Sequence, residues 1–183
     1  MQQPTNDIIE RSRKRERQAL SDLYDHVFPF WYAMTKRYLF NKEDRETLVN
    51  NAFIKLVDSL NNYDSNGSFE AWSRVIMRNV IIDEYRRNKT RRAFFSEDKL
   101  EEQDTLKHAS NNADAAFETE ELEGYLMRLP LVTRMAFNLF AIEGLSHKEI
   151  ATSLSISEGT SKWHISEARR QLKAMIEFNQ SLR

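Results

Sequence analysis

The side chains best suited to chemistry in this sequence are cationic or amide-bearing, and they recur at helical spacing. Lys162, Trp163, Ser166, Arg169 and Arg170 share one side of a helix if Ile165, Ala168 and Leu172 share the other. Lys and Arg suit phosphates and guanine edges, and Ser is permissive. A second basic group, Arg86, Arg87, Lys89, Arg91 and Arg92, closes a helix whose polar side also carries Arg74 and Arg78. Cations in a last turn complement the helix dipole, but five in seven positions exceed that need. A third group, Arg11, Arg13, Lys14, Arg15 and Arg17, reads either as a solvated helix face or as a macromolecular contact. Catalytic constellations are harder to find. There is no cysteine, so thiolate zinc sites and a Cys nucleophile are excluded. Asp83 and Glu84 are adjacent acids with no second acidic cluster or His to complete a metal site. His147 and His164 are not at metal-binding spacing and read as surface residues, His164 as a candidate phosphate contact.

The elements that must position these groups are helical. Only 4 Gly and 3 Pro interrupt 183 residues. Leu20, Leu23, Tyr24, Val27, Phe28 and Trp31 recur with helical period, and Pro29 inside that run predicts a kink or restart. Asp44 to Leu60 predicts a second helix with Leu48, Ala52, Leu56 and Leu60 on its stripe. The turn signal Asn61–Ser68 leads to a third, Phe69 to about Arg87, with Phe69, Trp72, Ile76 and Val80 as its apolar face. Ser96 to Glu123 then holds ten acids against two bases, a net −8, which predicts a flexible acidic linker. Leu122, Tyr125, Leu126 and Leu129 open another amphipathic helix, which Pro130 ends or restarts. The fold class is therefore all-α: two small helical domains, 1–93 and 120–183, joined by an acidic linker, 94–119.

The sharpest motif is Gly144 to Thr160. Gly144 suits the left-handed position after a helix. Ser146 with Glu149 forms the S-x-x-E capping pattern. Ser155-Ile156-Ser157 is a turn, and Ser157 caps the next helix. Two helices across a tight turn form a helix-turn-helix, whose second helix enters the major groove.

Both halves together resemble one family. Phe69-Glu-Ala-Trp72, Arg78-Asn79, Asp83 and Arg86-Arg87 resemble the region 2 signature of extracytoplasmic-function (ECF) sigma factors of bacterial RNA polymerase, and Glu46 to Leu56 resembles the preceding helix. Leu129-Pro130, Arg134, Phe137, Gly144-Leu-Ser, Glu149-Ile-Ala and Gly159 to Leu172 resemble region 4. The resemblance covers about Ala19–Arg92 and Glu121–Lys173. It implies a non-enzymatic subunit in the cytoplasm, without cofactor, metal or membrane insertion, that directs core RNA polymerase to promoters. Region 2 would dock on the β′ clamp helices through Val49, Asn50, Asn51, Phe53 and Leu56, with Phe53 and Leu56 open to a core role instead. It would hold the melted −10 strand through Tyr63, Ser68, Phe69, Arg74, Arg78, Asn79, Arg86 and Arg87. Asn79 matches the position lining a base pocket, against a helix-capping or core hydrogen bond as the alternative; Trp72 reads as core. Region 4 would bind the β flap and the −35 duplex through Ser157, Thr160, Lys162, Trp163, His164, Ser166, Arg169 and Arg170.

The chain departs from the family pattern at several places. Thr47 and Asn51 replace usual acids on the clamp surface, and Ser161 stands where Val is common. Trp163 and Glu167 stand where smaller or basic groups are frequent. The first two changes predict a weaker clamp contact; those on the recognition helix predict unusual or weak −35 recognition assisted by a targeting partner, and the linker would permit control by an anti-sigma factor. The competing readings are a helix-turn-helix regulator that binds duplex without polymerase and a DNA-processing enzyme.

Overall fold

The computed structural model describes residues 4–95 and 114–181. Among them are eight α-helices and no strand: α1 (Asn6–Arg13), α2 (Arg17–Lys36), α3 (Lys42–Ser59), α4 (Phe69–Phe95), α5 (Asp114–Met127), α6 (Leu131–Ala141), α7 (His147–Leu154) and α8 (Glu158–Gln180), with a short 3-10 turn at Leu60–Asn62. None of the described helices is long and apolar enough to cross a membrane. The chain divides within α4 into two compact units, Met1–Glu84 and Tyr85–Arg183. The expected linker lies largely outside the described residues. Where described, its edges are helical: 94–95 end α4 and 114–119 open α5. Ala115, Ala116 and Glu118 are strong helix formers, and acids near a helix N-terminus complement its dipole.

The first unit is built on α2. Ala19, Leu23, Val27, Trp31 and Met34 lie on one stripe and are buried. They meet Leu48, Val49, Ala52 and Leu56 of α3. Pro29 neither breaks nor restarts α2. Its missing N–H would have bonded the Asp25 carbonyl, and both residues are on the exposed side, where solvent supplies the partner. On α4 the buried stripe is Phe69, Ser73, Met77, Val80 and Ile81, rotated from the expected one, so that Trp72 and Ile76 are only half-buried. Ser73 is tolerated inside because its hydroxyl donates to Glu70 O at 3.1 Å.

The N-terminal cations fasten this unit. Arg11 pairs with Asp7 at 3.3 Å and Glu16 at 2.8 Å, and Arg15 pairs with Asp58 at 2.7 Å. Arg13 donates to the carbonyls of Leu60 at 3.0 Å and Tyr63 at 2.7 Å, tying α1 to the segment that leads into α4. Of the two readings of this basic group, these three residues follow neither a bare solvated face nor an open macromolecular contact: they are engaged within the unit.

The second unit packs α5, α6 and α7 against α8. Tyr125, Leu126, Leu129, Ala168 and Leu172 form a buried cluster, with Phe137, Met175 and Ile176 against it. Pro130 stands between α5 and α6 as the N-cap of α6. Arg134 is 5% exposed and donates from Nη1 to Met127 O, the last residue of α5, at 2.8 Å. Burial lowers its pKa to about 10, so it remains a cation at neutral pH.

Arg13→Met removes two charge-assisted bonds to main-chain carbonyls while keeping an apolar stem. It is expected to destabilise the first unit by about 1–3 kcal/mol in urea unfolding, with DNA affinity of the folded protein unchanged.

Candidate nucleic-acid interface

The turn between α7 and α8 is assembled from local bonds. Gly144 has φ +71°, and beyond it the Leu145 N–H returns to Leu139 O at 2.9 Å. Ser146 and Glu149 form a complete capping box: Glu149 N–H donates to Ser146 Oγ at 3.3 Å, and Ser146 N–H donates to Glu149 Oε2 at 2.8 Å. Ser155 turns the chain with φ 54°, a left-handed conformation that disfavours a residue bearing a Cβ. Ser157 Oγ then accepts from Thr160 N–H at 3.0 Å and meets Thr160 Oγ1 at 2.8 Å, so both hydroxyls serve the start of α8.

Ser161, Ile165, Ala168 and Leu172 face inward on α8. Lys162, Trp163, Ser166, Arg169 and Arg170 are exposed. The cations are not all open. Arg170 grips Glu167 through Nε at 2.8 Å and Nη2 at 2.5 Å, and Gln171 adds a bond to Glu167 at 2.7 Å. Those bonds, Arg170 foremost, hold the Glu167 carboxyl at about 2. Arg169 lies 5.7 Å over the Phe140 ring.

Neither histidine is the surface residue expected. His147 stacks on Phe140 at 5.0 Å, and its Nδ1 lies 3.2 Å from Ser161 Oγ, the partner that lets a hydroxyl occupy the buried stripe. His164 is half-buried with Nδ1 at 2.9 Å from Thr133 Oγ1, and burial lowers its pKa. Its Nδ1 edge is turned towards Thr133 of α6.

In the first unit, Tyr63 and Phe69 are 5% and 1% exposed. Their rings meet edge to face at 5.3 Å, and each packs on Trp72, at 5.0 and 5.7 Å. Neither offers an open ring face to a base, because the aromatic stripe that could stack on DNA is the one that closes the core. Tyr63 instead donates from its hydroxyl to Gly67 O at 2.7 Å and fixes the loop, while Ser68 Oγ accepts from Ala71 N–H at 3.2 Å and caps α4. Asn79 is exposed in the middle of α4, with Val75 four positions before it on the same exposed side. That position excludes both alternatives for Asn79, since it neither ends the helix nor enters the core. Arg74 is half-buried over the Phe30 ring at 4.8 Å, and Arg78 is half-buried with an unpaired Nε. Arg86 and Arg87 are exposed; inside the second unit Arg86 donates to Ser153 O at 2.7 Å and Thr152 O at 2.9 Å.

On α3 the structure redistributes the expected contact surface. Asn50 and Asn51 are exposed, and Asn50 Oδ1 accepts from the Tyr24 hydroxyl at 2.7 Å. Val49 and Leu56 are wholly buried and cannot supply the apolar part of a contact; Phe53 is half-buried against Tyr24 at 5.0 Å. Ile54, four positions after Asn50, is 60% exposed. Its signal in the sequence was its position off the Leu48, Ala52, Leu56 stripe.

Comparison with known proteins agrees across the chain. The model of the family described as "ECF sigma factor" matches residues 2–177. ECF RNA polymerase sigma factor SigE of Mycolicibacterium smegmatis is 32% identical over 146 residues, covering 78% of this chain; the chain spans 55% of that protein's length. RNA polymerase sigma factor SigZ of Bacillus subtilis is 28% identical, with 86% of this chain and 87% of that protein covered. ECF RNA polymerase sigma-E factor of Escherichia coli is 27% identical, with 93% of each covered. The fold is similar to that of sigma factor RpoE of Bartonella quintana, solved in complex with the anti-sigma factor NepR: TM-score 0.53, 19% identity, 85% of this chain and 97% of that one. With a helix-turn-helix unit and a second helical unit inside one family match that runs nearly end to end, this chain belongs to the ECF sigma factors.

Proposed function

We propose that the chain joins core RNA polymerase, selects promoters and carries them through melting into transcription initiation. The observation that carries this reading is the presence in one chain of an exposed amide on α4, Asn79, and an exposed basic face on α8, in the order that sigma regions 2 and 4 take. The polymerase supplies the chemistry, in the cytoplasm.

The roles divide by element. The α3 surface of Asn50, Asn51 and Ile54, with the edge of Phe53, meets the β′ clamp. Asn79 receives a base of the melted −10 strand, its amide offering both a donor and acceptors. Ser68, Arg74 and Arg78 track the backbone beside it, and Tyr63 and Phe69 support the loop from beneath. In the second unit α8 enters the major groove of the −35 duplex with Lys162, Trp163, Ser166, Arg169 and Arg170, while Ser157 and Thr160 order its first turn. Domains 1–93 and 120–183 are then regions 2 and 4, the second also meeting the β flap. An anti-sigma factor of the kind found with the Bartonella relative is a further partner for this chain.

Size-exclusion chromatography with core polymerase tests the reading. The wild-type chain is expected to co-elute with core, and Ile54→Asp, exposed and so harmless to the fold, to weaken the complex at least tenfold. Failure to co-elute, with tight duplex binding by the free chain, would instead make it a stand-alone regulator.

The Glu167–Arg170 pair yields a second outcome. Glu167→Gln frees Arg170 for phosphate. Promoter binding by the holoenzyme is expected to strengthen at low salt, with the slope of log K against log salt steeper by about 0.9. A carboxyl lowered to about 2 contributes fully above its ordinary value of 4.5 and is lost as pH falls towards 2, so this effect is flat between pH 6 and 9.

A further inference from the structure

The exposed face of α8 carries one side chain that phosphate binding does not call for. Trp163 is 60% exposed on the second turn, between Lys162 and Ser166 on the outward side. The indole is oriented: its ring meets the His164 ring at 4.9 Å and 71°, and His164 is anchored to Thr133 of α6 at 2.9 Å. The cations around it are partly committed, Arg170 to Glu167 and Arg169 to the face of Phe140. A flat apolar plate thus leads a helix whose charge is subdued.

The major-groove edges of base pairs present donors and acceptors almost throughout; the one apolar group among them is the thymine C5 methyl. We propose that Trp163 packs its indole on a thymine methyl of the −35 duplex and makes a T·A pair at that place a specificity determinant of the promoters this chain selects. The inference rests on α8 being the −35 reader and names what that reader recognises. The positive side chains flanking Trp163 favour DNA over an apolar protein surface as its occupant, since burying Lys162 and Arg169 against an apolar partner would strand their charge.

The test uses holoenzyme made from the full chain and core polymerase. Promoters are first selected from a duplex library randomised across both elements. Each thymine of the selected −35 block is then replaced by deoxyuridine, which removes the methyl and nothing else. Wild-type holoenzyme is expected to bind about fourfold more weakly at one such position. Trp163→Ala holoenzyme is expected to bind thymine and uracil duplexes equally there. Indifference of the wild type to every replacement overturns the inference, as does discrimination that survives in Trp163→Ala, which would assign the indole to a protein contact. A selection that returns a −10 block with no second conserved block overturns the −35 reading itself, and so is distinguishable from a −35 block that is blind to the methyl.

Discussion

The rotation of α8 about its own axis decides what the second unit can show to DNA. Four inward residues fix it: Ser161, Ile165, Ala168 and Leu172, at 0%, 2%, 0% and 7% exposure. A helix turned by one residue would bury Lys162 and Arg169 and expose Ile165, placing unpaired charge in the core at a cost of several kcal/mol. Ala168 and Ala151 are small and buried where α8 meets its neighbours, so the helices approach closely. Ser161 is the weak point of the stripe, and His147 satisfies it. The outward set is the complement of this packing, not a separate feature, and it includes Trp163 and Glu167 as firmly as it includes the arginines.

The first unit shows the same dependence of surface on core. The loop before α4 is held from two sides: Tyr63 donates to Gly67 O from within the aromatic cluster, and Arg13 grips the carbonyls of Leu60 and Tyr63 from α1. Ser68 then caps α4. With loop and helix start both fixed, Asn79 stands at a defined place on the solvent side of α4. Residues that looked like DNA ligands in the sequence, Tyr63 and Phe69, act one layer below the surface.

What the sequence made legible was local. The capping box at Ser146 and Glu149, the positive φ of Gly144, the cap at Ser157 and the stripe of α8 each depend on residues within a few positions of one another. What it hid was pairing across long separations. The partners of Arg13 lie 47 and 50 residues away, and His164 meets Thr133 31 residues back. On α3, the resemblance put Val49 on the contact surface, but packing against α2 makes it core, and a resemblance in sequence does not report how wide the buried stripe is. The start of α5 was masked by its acidity, because composition reports net charge while helix formation also responds to alanines and to where the acids sit.

The charge balance of α8 bears on why a sigma factor tolerates it. A stand-alone DNA-binding module draws much of its affinity from phosphate neutralisation, so a Glu that ties up Arg170 would be costly there. A module delivered by a larger complex meets the duplex at an effective concentration in about the millimolar range. Its own affinity can then be low, and the discrimination between sequences matters more than the total. Intrahelical neutralisation lowers binding to every duplex alike, whereas apolar contact at a base edge acts on one base. On the proposed reading, the pairing of Glu167 with Arg170 beside an exposed, oriented Trp163 shifts the helix from the first kind of contact towards the second. A surface of that kind suits a subunit whose placement on DNA is shared with the polymerase that carries it.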